Sequence, residues 1–338
     1  MSEVERAPWT DPAWLARFTN WVETELGHLG RVIRGVPTQP HVRPWSTVLR
    51  FDTDQGPIWA KAPTRSNAYE SRLLSGMAGW GVGSVIAPLV VEETSGWFLL
   101  EDGGPTLRQG RPDGTGDADL DAWQRVLGAY ADLQRTVERH ADELLRLGVP
   151  DGRPATLEPT LARIVEDDAW WALVGPDERA ESDAARERLR SSGEWVAARA
   201  RELDGSGVAS TIQHDDLHGG NVFVSDAAGI RFFDWGDSVV AHPFGTMVTT
   251  LNSVAHRLDT TADDPRLRPL RDAYLEAWTD TLPRSGLDEV LDAALDVGRI
   301  GKAAAWAKAL DGLDPAEMDG HGDAPALWLT DLAERITR

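Results

Sequence analysis

Apolar residues in the first hundred positions follow a helical pattern once and strand-like patterns several times. Over residues 11–30 they fall on one helical stripe, made of Trp14, Leu15, Phe18, Trp21, Val22 and Leu26. The runs WSTVLRFDT and PIWAKA, separated by DQG, predict a β-hairpin. A second helix is predicted over 66–78, starting near Ser66, because serine is a common N-cap residue. SVIAPLVVEE, TSG and WFLLE then predict a strand, a turn and a strand.

The pattern changes after residue 101. The segment 101–117 is dense in glycine, proline and aspartate, which is typical of a hinge and linker. Helical patterns follow over 119–147, 158–203 and about 265–338, and a short β-rich island lies at 208–234. We therefore expect an α+β chain of two lobes. The small β-rich N-lobe would span 1–103, and the larger helical C-lobe, with an embedded β-hairpin, would span 104–338.

Composition narrows the chemistry. The chain of 338 residues is 41% hydrophobic and 26% charged, as in globular proteins, and it has no cysteine, which excludes thiolate nucleophiles and cysteine-ligated zinc. A formal charge of −21 argues against nucleic acid or anionic membrane as partner and is compatible with a cationic substrate. The first residues lack a secretory-signal pattern, and no apolar run reaches the roughly 18 residues that span a bilayer, so a cytoplasmic location is expected.

The β-rich island carries most of the polar residues of chemical interest. VASTIQ (208–213), NVFV (221–224) and IRFFD (230–234) predict three strands. A hairpin of the second and third strands, with its loop at Asp226–Gly229, would pair Asn221 with Asp234. Opposed residues lie ~4.5–5.5 Å apart at Cα. An amide oxygen beside a carboxylate suits Mg²⁺, which binds few protein oxygens and completes its shell with water and phosphates.

The loop that joins these strands has the spacing of a kinase catalytic loop. His214, Asp216 and Asn221 form the pattern His-x-Asp-x-x-x-x-Asn, in which Asp accepts the proton of the attacking hydroxyl and Asn holds a metal. The downstream FDWG supplies Asp234 as the second metal ligand. The spacing selects Asp216 as the catalytic carboxylate, and neighbouring Asp215 is expected to face solvent.

Two other interpretations use the same residues differently. His214, Asp216 and His218 are of suitable types to bind the metal of a hydrolase, although the other histidines are scattered along the chain. A histidine can instead brace a loop through hydrogen bonds, which is the role expected for His214. A non-catalytic nucleotide-binding protein is the third interpretation.

The motifs HDDLHGGNVFV and FFDWGD resemble the aminoglycoside phosphotransferase and choline kinase-like family, whose usual loop is His-Gly-Asp-Leu-His-x-Gly-Asn. The resemblance is strong over 208–240 and weaker over 45–105. It implies a protein kinase-like fold, ATP and Mg²⁺ as cofactors, and phosphorylation of a small-molecule hydroxyl. An amino sugar, an aminoglycoside or a related hydroxylated amine fits the negative charge, and a neutral sugar or nucleoside-like metabolite stays open.

The resemblance also implies roles in the N-lobe. Lys61 would bind the ATP phosphates, with Glu70 as its partner on the predicted helix. Backbone groups from Glu101 to Gly103 would bind the adenine edge. No Gly-x-Gly-x-x-Gly precedes Lys61, so Ser46 and nearby amides would cover the phosphates.

The chain departs from the family where relatives carry an aspartate that braces the catalytic loop, because Thr246 stands at that position. Residues inside and outside the motifs are candidates for acceptor recognition. The candidates are His218, the acidic residues Asp237, Asp323 and 166–168, and the aromatic residues Trp306 and Trp328.

Overall fold

The computed structural model describes residues 9–110, 115–225 and 229–336. The small lobe is one antiparallel sheet of five strands, in the order β1-β2-β3-β5-β4, with one helix before the sheet in sequence and a second between β3 and β4. Its elements are α1 (Pro12–His28), β1 (Thr38–Arg43), β2 (Ser46–Thr53), β3 (Gly56–Pro63), α2 (Tyr69–Gly79), β4 (Val90–Glu92) and β5 (Trp97–Glu101).

The first helix and the central hairpin form as predicted. The Asp11 carboxylate accepts a hydrogen bond of 2.7 Å from the Trp14 amide and so caps α1. The buried stripe of α1 packs in one apolar cluster with residues of β2, β3 and β5 such as Phe51, Ile58 and Leu99. Burial of this stripe is the main reason that the helix is stable. β1 was not among the predicted strands.

Two boundaries in the small lobe differ from the prediction. Helix α2 begins at Tyr69 instead of near Ser66, because a single 3₁₀ turn (Arg65–Asn67) comes first and the Ser66 hydroxyl lies 3.0 Å from that of Thr64. The strand predicted from SVIAPLVVEE is confined to Val90–Glu92.

The large lobe is mainly helical, and the long predicted helices are broken into shorter ones. Its elements are α3 (Leu120–Val137), α4 (Ala141–Leu147), β6 (Asp151–Gly152), α5 (Leu157–Glu166), α6 (Asp168–Ala172), α7 (Arg179–Arg190), α8 (Gly193–Gly205), β7 (Thr211–Gln213), β8 (Val222–Ser225), β9 (Gly229–Phe232), β10 (Val239–Ala241), α9 (Met247–Arg257), α10 (Arg268–Leu275), α11 (Arg284–Leu310) and α12 (Ala324–Arg335). The helical pattern predicted over 158–203 contains four separate helices, since Asp167 caps α6 and Gly175–Pro176 follows its end.

Two small sheets lie among these helices: β6, β10 and β7 form one, and the hairpin β8–β9 is the other. Fully buried aromatic residues fill the core around them, including Trp123, Tyr130, Trp235, Phe244 and Trp278. Among the described residues, no helix has the length and apolarity that a bilayer crossing requires. Residues 111–114 of the predicted linker and 226–228 of the predicted hairpin loop lie outside the described residues.

Candidate active site

Residues 214–221 form the loop between β7 and β8, and His214 is built into its base. The backbone amide of His214 donates a hydrogen bond of 2.7 Å to the Tyr130 hydroxyl. Its ring Nε2 donates to the carbonyl of Phe233 at 2.8 Å, and its Nδ1 accepts from the Asp216 amide at 3.4 Å. Burial lowers the pKa of His214, which keeps the ring neutral. Both nitrogens are therefore occupied, so His214 braces the loop and is not free to bind a metal.

The loop is also supported from two helices of the large lobe. Three side chains donate to its carbonyl groups: Thr249 to Asp215 at 2.9 Å, Thr250 to Leu217 at 2.9 Å, and Lys302 to Asp215 at 2.7 Å. Thr246 itself is fully buried, and its carbonyl accepts from Thr250. Hydroxyl and ammonium donors on α9 and α11 thus support the loop in a chain that has threonine where many members of the resembled family have aspartate.

Asp216 lies in the middle of the loop with its carboxylate partly exposed. The Asn221 side chain donates to its Oδ2 at 3.1 Å, and His218 Nε2 lies 3.5 Å from the same oxygen. Burial acts to raise the pKa of Asp216, but the hydrogen bond from His218 and the charge of Lys302 outweigh it and lower the pKa. The carboxylate is therefore ionised at neutral pH and able to accept a hydrogen bond from a hydroxyl group.

The predicted hairpin register was wrong by one residue. Val222 pairs with Phe232 and Ser225 with Gly229, so Asn221 lies opposite Phe233 instead of Asp234. The hairpin closes with a connection one residue shorter than predicted.

The backbone of Asp234 keeps its side chain at the site despite this change. Asp234 follows the last paired residues in the left-handed conformation, with φ 63° and ψ 61°. Its Oδ1 lies 2.5 Å from Lys61 Nζ. Such a conformation is uncommon for a residue other than glycine and is often found at functional sites.

Lys61 joins Asp234 to helix α2. Its ammonium lies 2.7 Å from Oε2 of Glu70, which is 1% exposed and also accepts a hydrogen bond of 3.0 Å from the Trp235 amide. Burial acts to lower the pKa of Lys61, but the Asp234 and Glu70 carboxylates outweigh it and raise the pKa. The pairing of Lys61 with Glu70 expected from the sequence is present.

The oxygen donors of Asn221 and Asp234 fit a magnesium ion. Both hydrogen bonds of the Asn221 side chain use Nδ2, which leaves Oδ1 as a neutral oxygen ligand. The Asp234 carboxylate is about half exposed, at 49%. The residues that the structure describes include no cluster of three or more His, Asp or Glu arranged to hold a metal. A two-ligand set of hard oxygens is what Mg²⁺ uses when phosphates and water complete its shell.

Residues of both lobes contact the predicted hinge. Glu101 pairs with Ile58 in the sheet, and its side chain forms an ion pair of 2.6 Å with Arg31. The carbonyl of Gly103 accepts a hydrogen bond of 3.0 Å from Arg231. A Cβ on Gly103 would lie 2.1 Å from the ring of Phe223, so only glycine fits at this position.

The turn between β1 and β2 stands where a glycine-rich loop would be, and it contacts the large lobe. Trp45 lies 5.6 Å from Trp306 and 5.9 Å from His321 between ring centroids. Arg43 forms an ion pair of 2.8 Å with Asp319. Ser46 opens β2 beside this turn and is nearly buried. The two lobes are therefore joined across the cleft as well as through the hinge.

The prediction that Asp215 faces solvent was wrong: the residue is 2% exposed. It has a positive φ of 63° where the resembled family usually has glycine or arginine, and Gln213 donates to its Oδ1 at 2.7 Å. Its Oδ2 lies 3.9 Å from Lys302 Nζ. Burial raises the pKa of Asp215 to about 6, against the lowering effect of Lys302. The sequence shows an aspartate where the resembled family usually has glycine or arginine, but it does not show the distant lysine that pairs with the buried side chain.

The other predicted acceptor groups are distributed over the large lobe. Glu166, Asp167 and Asp168 are exposed; Asp167 caps α6, and Asp168 pairs with Arg186 at 2.7 Å. Asp323 stands at the N-cap of α12 without a capping hydrogen bond from its side chain, and Trp328 packs partly buried against the core. Asp237 lies near the loop, where burial and the charge of Asp216 raise its pKa.

Comparison with known proteins tests the expected fold. No family model matches the chain, and no curated protein matches it. Solved structures do. A macrolide 2′-phosphotransferase from Brachybacterium faecium is 19% identical over 90% of this chain and 96% of its own, with a TM-score of 0.55. An ethanolamine kinase from Plasmodium vivax is 13% identical over 96% and 89%, with a TM-score of 0.60. A choline kinase from Streptococcus pneumoniae is 12% identical over 93% and 99%, with a TM-score of 0.58. The expected two-lobed, protein kinase-like fold is confirmed.

Proposed function

We propose that the protein is a small-molecule kinase that transfers the γ-phosphoryl group of ATP to a hydroxyl group. Residues 1–103 would bind the nucleotide, and 104–338 would carry the catalytic loop and the acceptor site. A cytoplasmic location, where ATP is available, belongs to this proposal. The observation that carries it is the convergence of Lys61, Glu70 and Asp234 in one ion-pair chain, together with the Asp216–Asn221 hydrogen bond.

Each residue has a role that follows from its contacts. Lys61, held by Glu70, would direct its ammonium at the nucleotide phosphates. Asn221 Oδ1 and the Asp234 carboxylate would hold Mg²⁺, which supplies charge neutralisation for the phosphates when bound. The Ser46 region and the hinge from Glu101 to Gly103 would border the nucleotide.

Asp216 would act on the acceptor. Its ionised carboxylate would accept the hydrogen bond of the attacking hydroxyl, align that oxygen with phosphorus and take up the proton as the bond forms. Asn221 and His218 fix the orientation of the carboxylate through their contacts with Oδ2. His214 fixes the loop backbone. Charge neutralisation and alignment, more than strong base chemistry, would supply the rate acceleration.

The names of the structural neighbours support a hydroxylated acceptor. They include kinases of ethanolamine and choline, and phosphotransferases of macrolides and aminoglycosides. A hydroxylated amine, such as an amino sugar or an aminoglycoside, therefore remains the acceptor class that we propose from these names and from the net charge of −21.

The test is a coupled assay of ADP release with Mg·ATP and a panel of amino sugars, aminoglycosides, macrolides, neutral sugars, choline-like amines and nucleosides. Asp216→Ala should lower kcat by about 10²–10⁴-fold, because general base catalysis contributes that much. Its dissociation constant for Mg·ATP, measured by calorimetry, should stay close to that of the wild type. Acceptor-dependent ADP release that is unaffected by Asp216→Ala would contradict the proposal.

A further inference from the structure

A cavity of about 260 Å³ lies behind the catalytic loop, between the segment that follows Asp234 and helix α11. Its wall includes Asp215, Asp237 and His242 on one side, and Gly298, Gly301 and Ala304 on the other. We infer that this cavity binds the phosphoryl acceptor, and that the acceptor is a compact hydroxylated molecule with an apolar flank and at most one positive charge. This inference rests on the proposed kinase function and narrows its acceptor class.

Two buried polar groups in the wall lack partners. Asp215 is 2% exposed; its Oδ1 accepts from Gln213, while Oδ2 has no hydrogen-bond partner among the described residues. His242 is 4% exposed, and its Nδ1 accepts from the Phe244 amide at 3.3 Å, so Nε2 carries the proton of the neutral ring. That N–H also has no partner in the described part of the chain.

These two groups are complementary to a hydroxyl group. Asp215 offers an acceptor and His242 offers a donor, and a hydroxyl both donates and accepts. A buried polar atom without a partner destabilises the protein, and a bound hydroxylated molecule would supply both missing hydrogen bonds. The polar part of the wall therefore favours a hydroxylated ligand over a hydrocarbon.

Small residues of the opposite wall leave room for a ligand, and the volume of the cavity limits the size of that ligand. Small residues of α11 face the cavity at helical spacing, at Ala294, Gly298, Gly301 and Ala304. A Cβ added to Gly301 would meet no atom within 4 Å, so this side of the helix borders open space. Ligand sites for drug-sized molecules enclose about 300–1,000 Å³, and a cavity of about 260 Å³ favours a smaller molecule.

The charges around the cavity are nearly balanced. The acidic groups of the wall are Asp151, Asp215 and Asp237, and the basic groups are Arg163 and Lys308. The Arg153 guanidinium lies 2.7 Å from the Asp151 carboxylate, and Lys302 lies 3.9 Å from Asp215. The negative charge of the chain is thus not concentrated at this cavity. Its carboxylates do not outnumber its basic groups by enough to bind a polycation.

The cavity is close to the catalytic carboxylate. Lys302 Nζ lies 3.9 Å from Oδ2 of Asp215 and 3.9 Å from Oδ1 of Asp216. The two carboxylate oxygens are therefore separated by at most twice that distance. A compact molecule bound against Asp215 Oδ2 therefore needs to extend no farther than this to bring a hydroxyl group to Asp216.

The experiment compares Gly301→Leu with Gly286→Leu, a matched change on the same helix that lies outside the cavity wall. The probes are glucosamine, myo-inositol, adenosine and choline as compact molecules, with kanamycin and erythromycin as large ones. Binding without nucleotide is measured by calorimetry, and ADP release with Mg·ATP is measured in parallel. Ala304→Met narrows the same wall and replaces Gly301→Leu if that variant does not fold.

We expect at least one compact probe to bind the wild type and Gly286→Leu alike, and to bind Gly301→Leu at least tenfold more weakly. Kanamycin and erythromycin should bind none of the three. Tight binding of either large probe, binding of a compact probe that Gly301→Leu does not weaken, or failure of every compact probe to bind the wild type would overturn the inference.

The two readouts separate this inference from the proposed function. If a compact probe binds in a manner that depends on Gly301 but releases no ADP, the cavity is a ligand site and the kinase proposal fails. If ADP release depends on Asp216 but is insensitive to Gly301→Leu, the kinase proposal stands and the assignment of this cavity to the acceptor fails.

Discussion

The ammonium of Lys302 donates a hydrogen bond of 2.7 Å to the backbone carbonyl of Asp215, which connects helix α11 to the catalytic loop. The same nitrogen lies 3.9 Å from the carboxylates of both Asp215 and Asp216. One buried cation thus fixes the loop backbone and balances two acidic side chains. The left-handed conformation of Asp215, which costs of order 1–3 kcal/mol, is retained under this restraint.

Replacement of Lys302 by methionine should destabilise the protein and slow catalysis. It leaves the buried Asp215 carboxylate without its cation, and loss of one partner of a buried pair costs about 3–5 kcal/mol. Urea unfolding should report that loss. The double variant Lys302→Met/Asp215→Asn removes both charges and should recover part of it. Equal stability of the single and double variants would contradict a charge-pair role for Lys302.

Replacement of Glu70 by glutamine should weaken nucleotide binding. The glutamine can still accept from the Trp235 amide, but the Lys61 ammonium loses one of its two carboxylate partners and is less well positioned for the phosphates. We expect the dissociation constant of Mg·ATP to rise about tenfold, which is about 1.4 kcal/mol. Calorimetry measures the effect, and Glu194→Gln on the exposed face of α8 is the matched control. Equal dissociation constants for both variants would argue against the role of Glu70.

Replacement of Trp45 by alanine should speed nucleotide release. The Trp45 ring contacts Trp306 and His321 across the cleft, and such aromatic pairs contribute about 0.5–1.5 kcal/mol each. The dissociation rate of a fluorescent ADP analogue, measured by stopped flow, should rise several-fold. Trp195→Ala removes a ring from α8 instead and should leave the rate unchanged. A rate in Trp45→Ala that matches the wild type would mean that the turn does not restrain the cleft.

His242 should make stability depend on pH. Burial lowers the pKa of His242 from the ordinary value of 6.5 to about 3, so the unfolded chain binds a proton before the folded chain does as the pH falls. Stability is therefore lost below pH 6.5, by about 2 kcal/mol between pH 7 and pH 5. His242→Asn keeps a capping acceptor for the Phe244 amide. Between pH 7 and pH 5, the free energy of unfolding in urea should fall by about 2 kcal/mol less for this variant than for the wild type. An equal pH dependence for the two proteins would contradict the role of His242.

Local spacing was sufficient to predict the parts of the site that depend on neighbouring residues. Glu70 shares the inward face of its helix with Leu73 and Met77, and that face brings it to Lys61. Asp216 and Asn221 lie five residues apart in one loop, and their side chains are joined by a hydrogen bond. In both cases the geometry follows from the period of a helix or the length of a single loop.

The features that the sequence could not predict depend on small differences or on distant contacts. A hairpin connection one residue shorter shifts the pairing of both strands by one residue, so Asn221 lies opposite Phe233. Because side chains alternate across a strand, such a shift changes which side chains share a face. The buried Asp215 is contacted by a lysine 87 residues away in sequence. No local pattern contains that contact.

The support of the catalytic loop by α11 also orders the events of biosynthesis. The strands of the small lobe lie within residues 38–101, so all their pairing partners emerge early from the ribosome. Lys302 is translated 87 residues after Asp215, and until then the loop lacks the ammonium that holds it. Domains can fold while the chain is still growing. The small lobe can therefore take shape first, and a nascent chain released before α11 is complete lacks the cation that holds Asp215 in the catalytic loop.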